Sequence, residues 1–151
     1  MSTPAINSYK LDRQEFPVTL YRVDYPGCKT TYSQEEGFQA QGNFTPYYDY
    51  NLRSAVEYHL NWNCKVPSPF ISTFENRQHA RNWARDWREK HHNQLCHILE
   101  IRLEANHGVA VFRVADLVDE LGISTDSPDE YLCLHWIPSE AVVWKEAAPR
   151  A

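Results

Sequence analysis

One amphipathic segment, residues 75–92 (ENRQHARNWARDWREKHH), constrains the fold more than any other part of the sequence. Ala80, Trp83, Ala84 and Trp87 follow the i, i+3, i+4, i+7 spacing of a helix, and charged residues occupy the remaining positions. Such a helix must bury its apolar stripe against another element. The flanking segments PFIST (69–73) and LCHILEIRL (95–103) have the composition of strands. The chain is therefore predicted to have an α+β fold.

The rest of the chain divides into further strands and helices. Helices are predicted from about Asn51, over residues 32–36, and over residues 115–122 with Gly122 ending the last one. Strands are predicted over residues 17–25, 108–114 and 130–137, with a final strand after Pro138. Residues 1–16 are polar and are expected to form an extended lead-in. With no internal repeat or linker in 151 residues, a single domain over residues 1–151 is predicted.

Charge and cysteine usage exclude several classes of protein. The chain has 15 Lys and Arg against 20 Asp and Glu, which argues against a broad nucleic-acid-binding surface. Its four cysteines (Cys28, Cys64, Cys96 and Cys133) form no C-x-x-C pair, so free thiols and no metal site are expected. No signal peptide or membrane-spanning run is visible, which predicts a cytoplasmic protein without membrane contact. A secreted or delivered protein stays open as the alternative.

Several polar side chains occupy positions where chemistry is performed in other proteins. Arg22 lies in the middle of a predicted strand, either on its exposed face or directed into a cleft. Ser72 ends a strand three residues before Glu75, a spacing typical of a helix capping box, although a hydroxyl there can also orient a carboxylate. Glu130 begins a strand, where it is either solvated or able to stabilise a developing cation. His59 lies near an apolar helix face, and this position taken alone favours a structural role.

The order of these segments is more informative than any one of them. LYRVDYPG, EEGFQAQGN, YHL, PFISTF with its helix, VFRVADLVDELG and DEYLCLHWIP follow one another in the sequence. This order resembles the catalytic subunits of the cholera- and pertussis-type ADP-ribosylating toxins over about residues 18–146. The P-F-I-S-x-F core with its helix is also similar to a fungal domain of unknown function. The toxin resemblance implies two packed small β-sheets that form an NAD cleft with flanking helices.

The resemblance also implies a role for each matching residue. Arg22 holds a phosphate of NAD, and Tyr21 and Asp24 belong to the same Y-R-x-D stretch. Ser72 positions the catalytic Glu130, and His59 lies near the active site. Thr73 and Phe74 follow Ser72 in the NAD-binding strand. The implied activity is cleavage of the nicotinamide glycosidic bond of NAD, with transfer of ADP-ribose to an unknown protein or small-molecule acceptor.

Three departures from the toxin pattern bear on the acceptor. Phe74 replaces the last serine of S-T-S, and Tyr25 replaces the serine of the arginine motif. Pro128 stands two residues before Glu130, where the toxins have Glu or Gln. A proline side chain accepts no hydrogen bond, so an NAD glycohydrolase and a non-catalytic binding module on the same fold remain alternatives. An aromatic wall for nicotinamide is expected from Tyr25, Phe74 or residues 47–50.

Overall fold

The computed structural model describes residues 5–28, 30, 32–61 and 66–150 of the protein. These residues form an α+β fold in which helices and antiparallel strands alternate along the chain. The helices are α1 (Ala5–Tyr9), α2 (Asp49–Leu60), α3 (Arg77–Lys90) and α4 (Val114–Leu121). The strands are β1 (Val18–Asp24), β2 (Tyr32–Ser33), β3 (Gly37–Gln39), β4 (Phe70–Phe74), β5 (His97–Leu103), β6 (Val111–Arg113), β7 (Glu130–Leu134), β8 (Trp136–Ile137) and β9 (Val142–Ala147).

Two antiparallel sheets form the framework of the described part of the chain. The larger has six strands in the order β6-β7-β4-β1-β5-β9, and the smaller has three in the order β2-β3-β8. The alternating apolar pattern of LCHILEIRL explains the place of β5. Leu99 and Ile101 pack in the core between the two sheets, while Ile98 packs against the helix face beside Ala80 and Ala84. Both faces of the large sheet are therefore covered.

The α3 helix confirms the amphipathic prediction. Ala80 and Ala84 are fully buried, and Trp83 and Trp87 pack around them against β1 and β5. The helix is capped by Asn76, whose side-chain oxygen accepts a 3.0 Å hydrogen bond from the backbone N–H of His79. Of the two alternatives for Ser72, the capping box with Glu75 is therefore wrong, because β4 continues to Phe74 and the helix starts later.

The predicted strand over residues 130–137 is divided between the two sheets. His135 has a left-handed backbone with φ of 66° and separates β7 from β8. Its N–H donates to the Pro69 carbonyl at 2.7 Å, and its own carbonyl accepts from the Ala40 N–H at 2.9 Å. The chain thus crosses from the large sheet to the small one at a single residue, which an alternating apolar pattern does not reveal.

The predicted helix over residues 32–36 is wrong. These residues form β2 and the turn into β3, with Ser33 opposite Gly37. A helix this short is unstable by itself, so the pairing of β3 with β8 decides the conformation. Gly37 is required here. Its φ is 69°, and a Cβ atom would lie 2.1 Å from the Ile137 carbonyl oxygen.

The expectation of an extended lead-in over residues 1–16 is also wrong for the part that the structure describes. Residues Ala5–Tyr9 are helical, and the apolar Ala5 and Ile6 are buried in the same core cluster as Leu52 of α2. Lys10 then forms a bridge with Phe112 at the β6 edge. Cys28, Cys96 and Cys133 are buried free thiols, and Cys64 lies outside the described residues.

Candidate active site

The candidate site lies where β1 and β4 separate. β1 pairs with β5 over seven residues, from Val18 to Asp24, but it is in register with β4 only at Tyr21 and Phe74. The next residue of β1, Arg22, lies beside this separation. Because the two strands diverge, the backbone groups on their facing edges beyond Tyr21 need partners other than a strand ladder, although β1 still pairs with β5 on its other edge.

Arg22 supplies one of those partners, to β4, and also bonds to Thr30, which lies between β1 and β2 in the sequence. Its Nη1–H donates to the Ser72 carbonyl of β4 at 2.8 Å, and its Nη2–H donates to the Thr30 carbonyl at 2.8 Å. The guanidinium also lies 5.3 Å from the ring centroid of Phe38. Only 9% of Arg22 is exposed, and burial lowers the pKa of its guanidinium. Arg22 therefore holds the separated strands at a fixed distance while placing a positive charge between them.

Glu130, the first residue of β7, lies opposite Phe74 in the β4–β7 pair. It is 7% exposed, and burial raises the pKa of its carboxyl to about 7. A hydrogen bond with the Ser72 side chain acts in the opposite direction, as do the charges of His79 and Arg22, whereas Asp129 raises the pKa further. A carboxyl with this pKa is partly ionised at neutral pH, as expected of a group that performs acid–base or electrostatic chemistry.

His59 connects the end of α2 to the same site. Its Nε2 lies 2.6 Å from the Ser72 Oγ, and its Nδ1 lies 2.6 Å from the Ser68 Oγ. The ring also packs edge-on against Phe70, with centroids 5.8 Å apart. Since Ser72 is hydrogen-bonded to Glu130 as well, His59 belongs to a continuous chain of side chains that ends at the carboxylate.

These groups share one cavity of about 510 Å³. Arg22, His59, Ser68, Ser72 and Glu130 all contribute to its lining. Aromatic side chains from several elements line other parts of it, namely Tyr25, Tyr58, Phe70, Phe74 and Trp83. The volume falls within the range of small-molecule sites, about 300–1,000 Å³, and the mixture of aromatic walls with a few polar groups is typical of them.

Three predicted NAD-binding residues, Tyr21, Asp24 and Thr73, are absent from the described lining of this cavity. The Thr73 hydroxyl is fully buried and donates to the Tyr131 carbonyl at 2.9 Å. The Arg77 guanidinium lies 5.4 Å from the Tyr21 ring centroid, and Asp24 accepts a hydrogen bond from the Cys28 thiol at 3.5 Å. Their positions favour support of the framework over the predicted contact with NAD.

The residues considered for the aromatic wall differ in whether they line the cavity. Tyr25 and Phe74 line the cavity, whereas Tyr47, Tyr48 and Tyr50 are exposed and do not contribute to its described lining. Phe74 stacks on His79 with ring centroids 4.5 Å apart, and His79 Nδ1 lies 2.5 Å from Asp129 Oδ2. The replacement of the last serine of S-T-S by Phe74 therefore adds an aromatic surface next to Glu130.

Sequence reasoning missed two parts of the site. Ser68 bonds to His59, but a serine between two prolines carries no pattern that indicates chemistry. The loop residues Ser124, Thr125, Asp126 and Ser127 also line the cavity. Their position directly before Glu130 in the sequence is the signal that identifies them.

The described residues contain neither a metal-binding cluster nor a helix that could span a membrane. Within residues 5–28, 30, 32–61 and 66–150, no three His, Cys, Asp or Glu side chains are grouped closely enough to hold a metal ion. Among the helices of the same residues, none has the length and apolar character needed to cross a membrane.

Comparison with known proteins identifies the family. Residues 15–148 match the model of a family described as "Domain of unknown function (DUF7587)". The chain belongs to this family. A search of curated proteins finds no match.

Solved structures identify the fold of this DUF7587 protein. Among the chains that match is EcPltA, a subunit of a pertussis-like toxin ADP-ribosyltransferase, with a TM-score of 0.58 and 16% sequence identity. The match covers 88% of this chain and 77% of EcPltA. The protein therefore has an ADP-ribosyltransferase fold, as the order of its sequence segments predicts.

Proposed function

We propose that the cavity binds NAD and that the protein cleaves the bond between nicotinamide and ribose. The observation that supports this most strongly is the convergence of Arg22, Ser72 and Glu130, from three separate strands, on one cavity. The same three residues match the arginine, serine and glutamate of the toxin pattern. The likeness to EcPltA supports the fold, and the activity is proposed from the site.

Glu130 has the properties needed for the central step. When the bond from ribose C1′ to nicotinamide breaks, nicotinamide leaves with the bonding electron pair and positive charge develops on the ribose. A fixed carboxylate stabilises this oxocarbenium-like state, and the buried position of Glu130 strengthens the interaction because little water screens it. Ser72 orients the carboxylate through its hydrogen bond.

Arg22 and the aromatic residues account for binding. The Arg22 Nη groups donate to backbone carbonyls, so the guanidinium attracts the NAD diphosphate with its charge while it fixes the strand separation. Phe74 and Tyr25 offer flat apolar surfaces for nicotinamide on the same cavity wall. His59 keeps Ser72 in place and contacts the ribose or the acceptor.

The acceptor is proposed in two forms. The first is a protein or small molecule, which makes the protein a mono-ADP-ribosyltransferase. The second is water, which makes it an NAD glycohydrolase, and Pro128 favours this form because its side chain cannot hydrogen-bond to a larger acceptor and hold it in place. In both forms an acceptor atom bonds to C1′ and gives its proton to solvent.

Nicotinamide release from NAD by the wild-type protein and by Glu130→Gln tests the proposal. We expect the substitution to reduce release by at least about 100-fold, because it removes the charge that stabilises the transition state. Glu89→Gln, which changes an exposed carboxylate of α3, is the matched control and should retain full activity. Equal rates for the wild type and Glu130→Gln would contradict the proposal.

Product analysis separates the remaining alternatives. Free ADP-ribose as the sole product indicates hydrolysis, and ADP-ribose attached to a component of a cell lysate indicates transfer. Binding of NAD in calorimetry without release of nicotinamide indicates a non-catalytic module and would rule out the enzymatic form of the proposal.

A further inference from the structure

Ser68 lies at the far end of the chain of side chains that leads to Glu130. It is four residues before Ser72, just ahead of β4, and it lines the same cavity. Its Oγ accepts a 3.0 Å hydrogen bond from the Phe70 N–H and lies 2.6 Å from His59 Nδ1. The backbone of β4 thus fixes the Ser68 oxygen relative to the histidine ring.

The hydrogen-bond roles along this chain follow from counting donors. The Ser68 oxygen accepts from the Phe70 amide, so its single O–H hydrogen is available to His59 Nδ1. With Nδ1 as acceptor, the neutral ring carries its hydrogen on Nε2 and donates it to the Ser72 Oγ, 2.6 Å away. The Ser72 hydroxyl then has its own hydrogen free for Glu130, to which it is bonded.

The opposite tautomer breaks this sequence. With a hydrogen on Nδ1, the Ser68 oxygen would accept from both the Phe70 amide and the ring, which its two lone pairs allow, and Nε2 would accept the Ser72 hydroxyl hydrogen. Ser72 would then have no hydrogen for an ionised Glu130 carboxylate. An ionised Glu130 therefore requires the tautomer with hydrogen on Nε2, and the Ser68 hydroxyl stabilises that tautomer by donating to Nδ1.

We propose that Ser68 is a positioning residue that holds the neutral form of His59 as the tautomer with its hydrogen on Nε2, so that Ser72 donates to the ionised carboxylate of Glu130. The catalytic meaning of this arrangement rests on the proposed function, but the arrangement itself does not. No covalent step is involved, since each group keeps its own proton.

Other charged groups around Glu130 stay in place when Ser68 is changed. These are Arg22 from β1, His79 from α3 and Asp129 from the turn before β7, and Asp126 of the loop lines the same cavity. They act on the carboxyl by charge, whereas Ser68 acts through His59 and Ser72. A variant at Ser68 therefore isolates the effect of the hydrogen-bond direction.

Nuclear magnetic resonance of the wild type, Ser68→Ala and Ser68→Thr tests the proposal without NAD. In the wild type, the ¹⁵N signals of the His59 ring should show the hydrogen on Nε2. Ser68→Ala should shift His59 toward a mixture of tautomers and raise the carboxyl titration midpoint of Glu130 by about half a pH unit. Ser68→Thr keeps the hydroxyl and should restore both, and Ser54→Ala, on α2 outside the described lining, should change neither.

Two results would overturn the proposal. One is a wild-type His59 that carries a hydrogen on Nδ1 at neutral pH, either alone or together with one on Nε2, and this result is decisive even if Ser68→Ala does not fold. The other is a folded Ser68→Ala protein with unchanged His59 signals and Glu130 titration. In the active protein the acidic limb of nicotinamide release should move by the same half unit or so. Absence of any NAD turnover would contradict the proposed function and leave the tautomer measurement to decide the role of Ser68.

Discussion

Two buried arginines, Arg22 and Arg88, have the same local bonding in different parts of the molecule. Arg22 is 9% exposed and Arg88 is 7% exposed. Arg88 donates from Nη1 to the Ala148 carbonyl and from Nη2 to the Asn93 carbonyl, both at 2.8 Å, as Arg22 does to Ser72 and Thr30. In both side chains Nε is buried without a hydrogen-bond partner among the described atoms.

The surroundings separate the two arginines. Arg88 connects α3 to the chain after β9 and contributes nothing to the described lining of the cavity. Arg22 lies where β1 and β4 separate, in the cavity that also contains Ser72 and Glu130. Burial and bonding to carbonyls are thus framework features of both residues. Only the neighbouring carboxylate and cavity make Arg22 a candidate for binding NAD.

Replacing each arginine with lysine tests this comparison, and we expect these two variants to show the largest changes in stability and activity. Lysine cannot donate to two separate carbonyls in the same fork geometry, so both Arg22→Lys and Arg88→Lys should lower the free energy of unfolding by about 2 kcal/mol. Arg22→Lys keeps the charge but no longer fixes the separation of β1 and β4, so it should also reduce kcat/KM for nicotinamide release by about 100-fold. Arg88→Lys should leave it unchanged. Similar losses of activity in both variants would show that Arg22 acts through stability alone.

The buried Glu130 of the site also affects the stability of the folded protein. The buried carboxyl has a pKa of about 7 rather than its ordinary 4.5. At about 1.4 kcal/mol per pH unit, ionisation in the folded protein therefore costs about 3 kcal/mol. Because the pKa is raised, the ionisation of Glu130 does not change the free energy of unfolding below pH 4.5. The free energy of unfolding then falls as the pH rises from 4.5 through 7.

Urea unfolding of Glu130→Gln measures that cost. Gln is neutral at every pH, so the variant should exceed the wild type in stability by up to about 3 kcal/mol at about pH 8 and by little at about pH 4. Glu89→Gln, at an exposed position of α3, should show no such pH-dependent difference. A difference between wild type and Glu130→Gln that is constant with pH would refute the raised pKa.

The smallest effects should come from the adjacent hydroxyls of β4. Thr73 donates to the Tyr131 carbonyl within the sheet, so Thr73→Val should cost about 1 kcal/mol of stability and leave nicotinamide release intact. Ser72 bonds to Glu130, and that bond lowers the pKa of the carboxyl. Ser72→Ala should therefore reduce release about five- to tenfold at neutral pH and move its acidic limb upward. A larger loss of release in Thr73→Val would reverse the assignment.

The spacing of apolar residues within a single segment was enough to predict helix α3 and strand β5. The apolar stripe of Ala80 and Trp83 fixes α3, and the alternation of Leu99 and Ile101 fixes β5. The hairpin at residues 32–39 and the division at His135 depend on pairing between distant segments, such as Phe38 with Ile137. Propensity within a few residues contains no information on such pairing. The predictions failed at both of these places.

The site could be predicted in part for a related reason. The order of motifs placed Arg22, His59, Ser72 and Glu130 together, and the cavity contains all four. Thr73 alternates to the opposite face of β4 from Ser72, so its side chain bonds within the sheet and its contact with NAD stays a prediction. Ser68 belongs to the site through a hydrogen bond to His59 across nine residues, which only the three-dimensional structure reveals.

The pH dependence of nicotinamide release from NAD tests the central claim most directly. If the ionised Glu130 carboxylate stabilises the transition state, kcat/KM of the wild type should rise with pH to a plateau, with a midpoint at about 7. Glu130→Gln should show only a low rate without this limb. A wild-type profile that is flat between about pH 5.5 and about pH 8.5, or a Glu130→Gln variant with the same profile as the wild type, would contradict the account.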